Sequence, residues 1–250
     1  MDIRSFFTTQ QHYSDILVRY HQDEQQCLSL VDLQLVEQTL LSDEATLLQR
    51  VLSSAEHTYF QRFKYIKRKK EWLGGRVAAK AAFFASTQAT VQDPRSISIL
   101  PNKHGRPIAE GVSHSSGKPL LLSLSHSDTY AVALVRSGTT CGVDLQEIST
   151  KLAGLTSHFA ADVELQRLAE QVDYDEDTRL TMLWTAKEAL KKALLHDQSA
   201  IFSETELQEA ARLSEGTWRF LCTVRGERQS ALVYPLPPYV LSITEEKEHA

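Results

Sequence analysis

The chain has 250 residues, 42% of them apolar and 24% charged, with 27 basic and 32 acidic side chains and a formal charge of −5. A chain this long buries roughly 70–75% of its unfolded surface and needs no metal or disulfide to fold, and its composition excludes disorder, collagen and coiled coil. The mild acidity argues against a dedicated nucleic-acid binder, which would be strongly basic.

The opening segment MDIRSFFTTQQHYSDIL has no basic stretch followed by an apolar one and does not read as a secretory signal. Apolar runs such as Ala131–Val135 are too short to cross a bilayer. Cys27, Cys141 and Cys222 form no CxxC, and an odd, widely spaced set points to a reducing compartment. The histidines form no HxxxH, so no zinc signature is visible. The expectation is a soluble, cytoplasmic protein that spans no membrane.

In chain order, residues 31–42 and 43–52 show helical spacing of Leu and Val, broken at Ser42. Ser53 followed by Glu56 predicts a capping box. The run Arg62–Lys70 is basic at six of nine positions. Trp72–Ser86 reads as a buried helix, in which Gly74-Gly75 is a cost unless something packs close to the backbone. Ser96–Leu100 predicts a short strand and Pro101–Pro119 a loop. Strands are expected over Leu120–Ser125 and Tyr130–Arg136, with a turn at Ser127-Asp128. Gly138-Thr139-Thr140 is the expected boundary between subdomains 1–137 and 138–250. Beyond it come a strand over Cys141–Gln146, a helix over Asp162–Gln171 and a helix over Arg179–Leu195 capped by Thr178. Three β-like segments close the chain, at Trp218–Arg225, Gln229–Tyr234 and Tyr239–Thr244. Both parts mix helices with antiparallel strands, so the fold class is α+β. No sequence repeat is visible.

Three segments carry candidate chemistry. In Gly142-Val143-Asp144-Leu145-Gln146-Glu147, strand alternation points Val143 and Leu145 inward and Asp144 and Gln146 outward together. A pair of oxygens at a strand end suits a hard metal, although an acidic residue there is ordinarily just solvated. In Trp184-Thr185-Ala186-Lys187-Glu188-Ala189-Leu190-Lys191-Lys192, helical spacing puts Trp184, Glu188 and Lys192 on one line. That is either a core tryptophan beside a surface ion pair, or a metal-binding or proton-accepting carboxylate with a lysine for a leaving group. In Leu122-Ser123-Leu124-Ser125-His126-Ser127, adjacent strand residues face opposite ways, so Ser125 and His126 do not pair as nucleophile and base. No GxSxG elbow is present, and the cluster suits phosphate binding or a structural histidine.

Together these segments resemble the 4'-phosphopantetheinyl transferases of the Sfp-like type, whose pattern is (V/I)G(V/I)D followed by WxxKExxxK, with a serine–histidine motif upstream. Asn102-Lys103-His104-Gly105-Arg106-Pro107-Ile108 is similar to the family's GKP or GRP loop. Lys69-Lys70-Glu71-Trp72-Leu73-Gly74-Gly75-Arg76 is similar to its basic helix. The resemblance runs over about residues 60–195.

The resemblance implies two similar α+β halves related by a pseudo-twofold, with the active site in the cleft between them. It implies Mg²⁺-dependent transfer of the 4'-phosphopantetheine group of coenzyme A to a serine of an apo acyl or peptidyl carrier protein, releasing 3',5'-ADP. Asp144 and Glu188 are then metal ligands, Glu188 also helps deprotonate the serine, and Lys192 serves the leaving group. Lys187 contacts phosphate, Ser125 and His126 hold the 3'-phosphate, and Arg76, Lys80 and Arg106 contribute basic groups for coenzyme A. Gly117-Lys118-Pro119 is a second candidate for the GKP loop. Gln146 departs from the pattern, standing where a second acidic ligand is usual, and implies a weaker or wetter metal site. A monomer is the family-like expectation. The rival readings are a non-catalytic coenzyme A or nucleotide-binding module, which would not need Glu188 and Lys192, and a nucleic-acid binder using Arg62–Lys70.

Overall fold

The computed structural model describes residues 2–13, 16–23, 25–86, 93–112, 120–195 and 204–246. The chain divides into two compact units, Phe7–Thr139 and Thr140–Ala250 with Met1–Phe6. The boundary thus falls two residues beyond the expected 137/138, and the one-turn helix α1 (Ile3–Phe6) groups with the C-terminal unit. There the Phe6 ring lies 4.8 Å from that of Tyr234, centroid to centroid. The α+β class holds in both units.

The N-terminal unit opens on three strands that the sequence reading did not anticipate, β1 (Thr9–Tyr13), β2 (Ile16–Gln22) and β3 (Gln26–Asp32). Asp32 ends β3 and caps α2 (Leu33–Val51), its carboxylate accepting from Gln34 N–H at 2.8 Å. The two helices expected on either side of Ser42 are one helix with a kink at Asp43 (φ −156°, ψ 69°). The capping box opens α3 (Ser54–Phe60): Ser53 Oγ accepts from Glu56 N–H at 3.2 Å and Glu56 Oε2 from Ser53 N–H at 2.9 Å.

The buried helix α4 (Ile66–Ser86) reaches back into the basic run. Gly74 has the close neighbours its position in a helix calls for: an added Cβ would meet Leu33 Cδ2 at 2.3 Å and Ala131 Cβ at 3.5 Å. The expected loop after Pro101 contains a strand, so β4 (Ser98–Pro101) and β5 (Pro107–Glu110) form a hairpin. β6 (Leu120–His126) and β7 (Tyr130–Ser137) are joined by a turn in which Ser127 Oγ accepts from the Thr129 and Tyr130 N–H groups at 3.2 and 3.0 Å. The main sheet runs β1-β2-β3-β7-β6, antiparallel throughout, with α4 packed on one face.

The C-terminal unit contains β8 (Val143–Glu147), a 3-10 stretch Thr150–His158, α5 (Asp162–Gln171) and α6 (Glu176–Leu194). It continues through β9 (Thr205–Ser214), β10 (Thr217–Val224), β11 (Glu227–Leu236) and β12 (Tyr239–Thr244). The sheet order is β8-β12-β11-β10-β9. The cap of α6 is Asp175, not Thr178. Asp175 has the extended backbone a cap requires (φ −62°, ψ 161°), while Thr178 stands at the third helical position and gives its N–H to the Asp175 carboxylate at 2.9 Å.

One connectivity occurs twice. In each unit a strand (β3 or β8) leads through two helical segments, the second of them short, to a long helix (α4 or α6). Two hairpins follow, and the last strand (β7 or β12) pairs antiparallel with the first. The units differ in that the β4–β5 hairpin stands apart from its main sheet and that β1 and β2 extend the β3 edge. Among the described residues no helix is long and apolar enough to cross a membrane.

Candidate active site

The β8–α6 contact assembles the first group. Val143 and Leu145 are buried on one face of β8, as alternation requires. Asp144 lies on the other face, but that face is covered by α6 rather than open to water, so Asp144 is only 6% exposed. Lys192 Nζ donates to Asp144 Oδ1 at 2.7 Å and to Val143 O at 3.1 Å. Glu188 stands one turn earlier on the same line of α6, half-buried, and accepts from Lys191 Nζ at 3.1 Å. Gln146 is partly exposed on the Asp144 face, two residues further along β8.

Two features hold this contact tight. Thr185 Oγ1 and Ser242 Oγ are 2.7 Å apart between α6 and β12, and Ser242 is the register partner of Asp144. Gly142 N–H donates to Thr244 Oγ1 at 3.0 Å, and a Cβ on Gly142 would sit 2.0 Å from Ala189 O. The glycine before Val143-Asp144 therefore lets the chain entering β8 come against the α6 backbone one residue past Glu188.

Lys187 and Lys80 are not where a phosphate contact would need them. Both are 0% exposed. Lys187 Nζ is 2.7 Å from Phe159 O and 2.7 Å from Glu164 Oε1. Lys80 Nζ is 2.5 Å from Glu56 Oε2 and donates to Val51 O and Pro94 O at 2.8 and 2.9 Å. Burial pulls the Lys80 ammonium below its ordinary pKa, against the pull of Glu56. A lysine enclosed in this way, with its hydrogens already on protein oxygens, does not reach a ligand in solvent.

The other expected phosphate groups belong to the N-terminal unit. Arg76 is buried, with Nε donating to Ile99 O at 3.2 Å and the guanidinium 4.1 Å above the Trp72 ring. Burial draws its pKa down to about 10, so it stays cationic at neutral pH. The charge of the nearby Glu56 carboxylate partly offsets that desolvation. Arg106 ends the turn of the β4–β5 hairpin. There the Asn102 carboxamide accepts from His104 and Arg106 N–H at 2.9 and 3.0 Å, and Gly105 takes a left-handed φ of +85°. Asn102 is thus the organiser of this loop, a role that motif matching alone did not assign.

His126 is exposed at the end of β6, while Ser125 is buried and points to the opposite face. Lys118 lies outside the described residues. Within the basic run, Lys67, Arg68, Lys69 and Lys70 are already paired with Asp128, Glu71, Glu44 and Glu37.

Among the described residues no three His, Cys, Asp or Glu side chains gather into a metal cluster. Asp144 is bonded to Lys192, Glu188 stands one turn before Lys192 on α6, and Gln146 shares the Asp144 face of β8. This all-oxygen set fits Mg²⁺, which takes one or two carboxylates and completes its shell with water and substrate phosphates.

The model of the 4'-phosphopantetheinyl transferase superfamily matches residues 140–234. The chain is 36% identical over 93 residues to a holo-[acyl-carrier-protein] synthase of Onion yellows phytoplasma (strain OY-M), covering 34% of this chain and 73% of the relative. It is 33% identical over 110 residues to the enzyme of that name from Oceanobacillus iheyensis, covering 43% and 90%. It is also similar to the crystal structure of a holo-(acyl-carrier-protein) synthase from Bacillus anthracis str. Ames in complex with CoA (3',5'-ADP). That match has 25% identity, covers 44% of this chain and 92% of that one, and has a TM-score of 0.39, too loose to argue from. With a relative 36% identical over 73% of its length, and a family match spanning Asp144, Glu188 and Lys192, the chain belongs to the 4'-phosphopantetheinyl transferase superfamily and is a transferase of that kind.

Proposed function

We propose that this enzyme transfers the 4'-phosphopantetheine group of coenzyme A to a serine of an apo acyl carrier protein and releases 3',5'-ADP. One observation carries the reading. Lys192 is locked to Asp144 at 2.7 Å, one helical turn from Glu188, within the segment that the 4'-phosphopantetheinyl transferase superfamily model matches.

The serine oxygen attacks the phosphorus that bears the pantetheine arm. An O–P bond forms as the bond from that phosphorus to the bridging oxygen breaks, and the electron pair leaves on 3',5'-ADP. The serine proton needs an acceptor, and Glu188 supplies one at the edge of the site. Lys192 gives hydrogens to Val143 O and Asp144. An ammonium carries three, so one serves the leaving phosphate oxygen. Asp144 and Glu188, with Gln146 or water beside them, would hold Mg²⁺, which would supply positive charge against the diphosphate. Gln146 contributes no charge, so the ion is held more weakly than by three carboxylates. Arg76, Arg106 and the exposed His126 hold the phosphates of coenzyme A, while Ser125, on the opposite face of β6, does not share that contact.

The test is incubation with coenzyme A, Mg²⁺ and a panel of apo carrier proteins, followed by mass spectrometry. A mass gain of one phosphopantetheine arm on a carrier is expected. Tight binding of coenzyme A without any gain across the panel would instead support a non-catalytic binding module.

A further inference from the structure

Each unit buries one lysine in the middle of its long helix, and the surroundings of the two lysines match part by part. The carboxylate partner stands three residues after the N-cap of the preceding short helix: Glu56 after Ser53, Glu164 after Ala161. The ammonium also meets a carbonyl two residues before that cap, Val51 O at 2.8 Å or Phe159 O at 2.7 Å. The same carboxylate accepts a backbone N–H from the strand after the helix, Ile99 at 2.9 Å or Leu207 at 2.6 Å. A short helix, a long helix and a strand are thus tied at one buried point in each unit.

A buried ion pair is weak evidence for stability, because desolvation offsets its attraction, and its best-attested use is to fix register. The neighbours of the two lysines say what is being fixed. Lys80 is flanked by Ala79 and Ala81, and one turn earlier stands Arg76, which donates to the same Ile99 that reaches Glu56. Lys187 is flanked by Glu188, with Lys192 further along. At roughly 100° per residue, Lys187 projects about 140° around α6 from Lys192. Lys192, Thr185 and the Ala189 carbonyl hold one side of the helix against β8, β12 and Gly142. Lys187 holds the far side against Glu164 and Phe159. A slip of one residue would turn Lys192 away from Asp144, and Glu188 on the same helix line with it.

We propose, building on the transferase reading above, that Lys187 and Glu164 are positioning residues: their buried pair fixes the rotation and register of α6 and so holds Glu188 and Lys192 at Asp144. The counterpart in the N-terminal unit, Lys80 with Glu56, positions Arg76 through Ile99. One device serves the reacting groups in one unit and coenzyme A binding in the other.

The test is a pair of double variants, each removing both charges so that no buried charge is left alone. Lys187→Met with Glu164→Gln is expected to keep a native circular dichroism spectrum and to lose about tenfold to a hundredfold in kcat, with KM for coenzyme A within about threefold. Lys80→Met with Glu56→Gln is expected to act the other way, raising KM for coenzyme A more than it lowers kcat. A folded Lys187→Met/Glu164→Gln enzyme with kcat near wild type overturns the proposal. Should that pair not fold, Glu164→Asp keeps both charges and shortens the reach. A fall in its kcat supports the proposal, and an unchanged kcat overturns it. A crystal structure of the variant decides independently of turnover: loss of the Lys192–Asp144 contact supports positioning, and its retention at 2.7 Å contradicts it. If the wild type transfers nothing to any carrier, the transferase reading fails, and this structural comparison still judges α6.

Discussion

At the scale of single residues, Lys192 has two duties. Its ammonium neutralises a carboxylate that is 6% exposed, and in the proposed reaction it also serves the leaving group. Lys192→Met should therefore abolish transfer and also destabilise the fold by about 1–3 kcal/mol, because Asp144 loses its charged partner. Glu188→Gln should lower kcat by about 10²–10⁴-fold, the usual range for a general base, with little change in melting temperature, since Glu188 is half-buried and bonded only to the neighbouring Lys191 among its recorded partners. Steady-state kinetics and thermal melts on the two variants separate these effects. The shared helix line of Glu188 and Lys192 and the strand position of Asp144 were legible from spacing alone. Lys187 and Lys80 were not. A lysine within a motif looks the same whether it meets water or a buried carboxylate, and its partners Glu164 and Glu56 lie 23 and 24 positions away in the chain. The Ser53–Glu56 capping box was legible, but a capping glutamate shows only one of its duties in sequence.

Among the elements, the start of α6 was misplaced by one turn. Threonine and aspartate are both good caps, and the choice between Asp175 and Thr178 depends on which backbone is extended. Asp175→Ala should destabilise the protein by about 1 kcal/mol, measured by chemical denaturation. The N–H and hydroxyl of Thr178 hold the Asp175 carboxyl below the usual carboxylate range. The cap's contribution is therefore fully present above the unfolded carboxyl pKa and is lost as pH falls through the lower folded value. The variant should show less acid dependence in that window than the wild type. Gly142 is a second point of leverage. Gly142→Ala drives a Cβ into the Ala189 carbonyl, and backbone cannot swing aside as a side-chain tip can. A destabilisation of about 1–3 kcal/mol is expected, with a loss of transfer beyond what unfolding explains, because β8 or α6 must move. A stable, fully active Gly142→Ala enzyme would show that the close approach of strand to helix is dispensable. β2 alternates buried Ile16, Val18 and Tyr20 with partly exposed residues, a signal present in the sequence but short. β5 was hidden because Gly, Pro and Asn around a hairpin turn read as loop.

For the whole molecule, composition and element order were enough for the α+β class, but the repeated connectivity was invisible in sequence. What recurs is a set of contacts between distant residues, Lys80–Glu56–Ile99 and Lys187–Glu164–Leu207, embedded in otherwise different residues. The two copies carry different tasks. Ala81 occupies, after its buried lysine, the place that Glu188 occupies after the other, so a carboxylate stands beside one copy only. The proposed reaction requires Asp144 and Glu188 to act on one diphosphate. A crystal structure of the enzyme with Mg²⁺ and coenzyme A tests this most directly. One cation contacted by both carboxylates and by the diphosphate, with Lys192 at the bridging oxygen, is expected; coenzyme A bound with either carboxylate remote from its diphosphate would refute the proposed reaction.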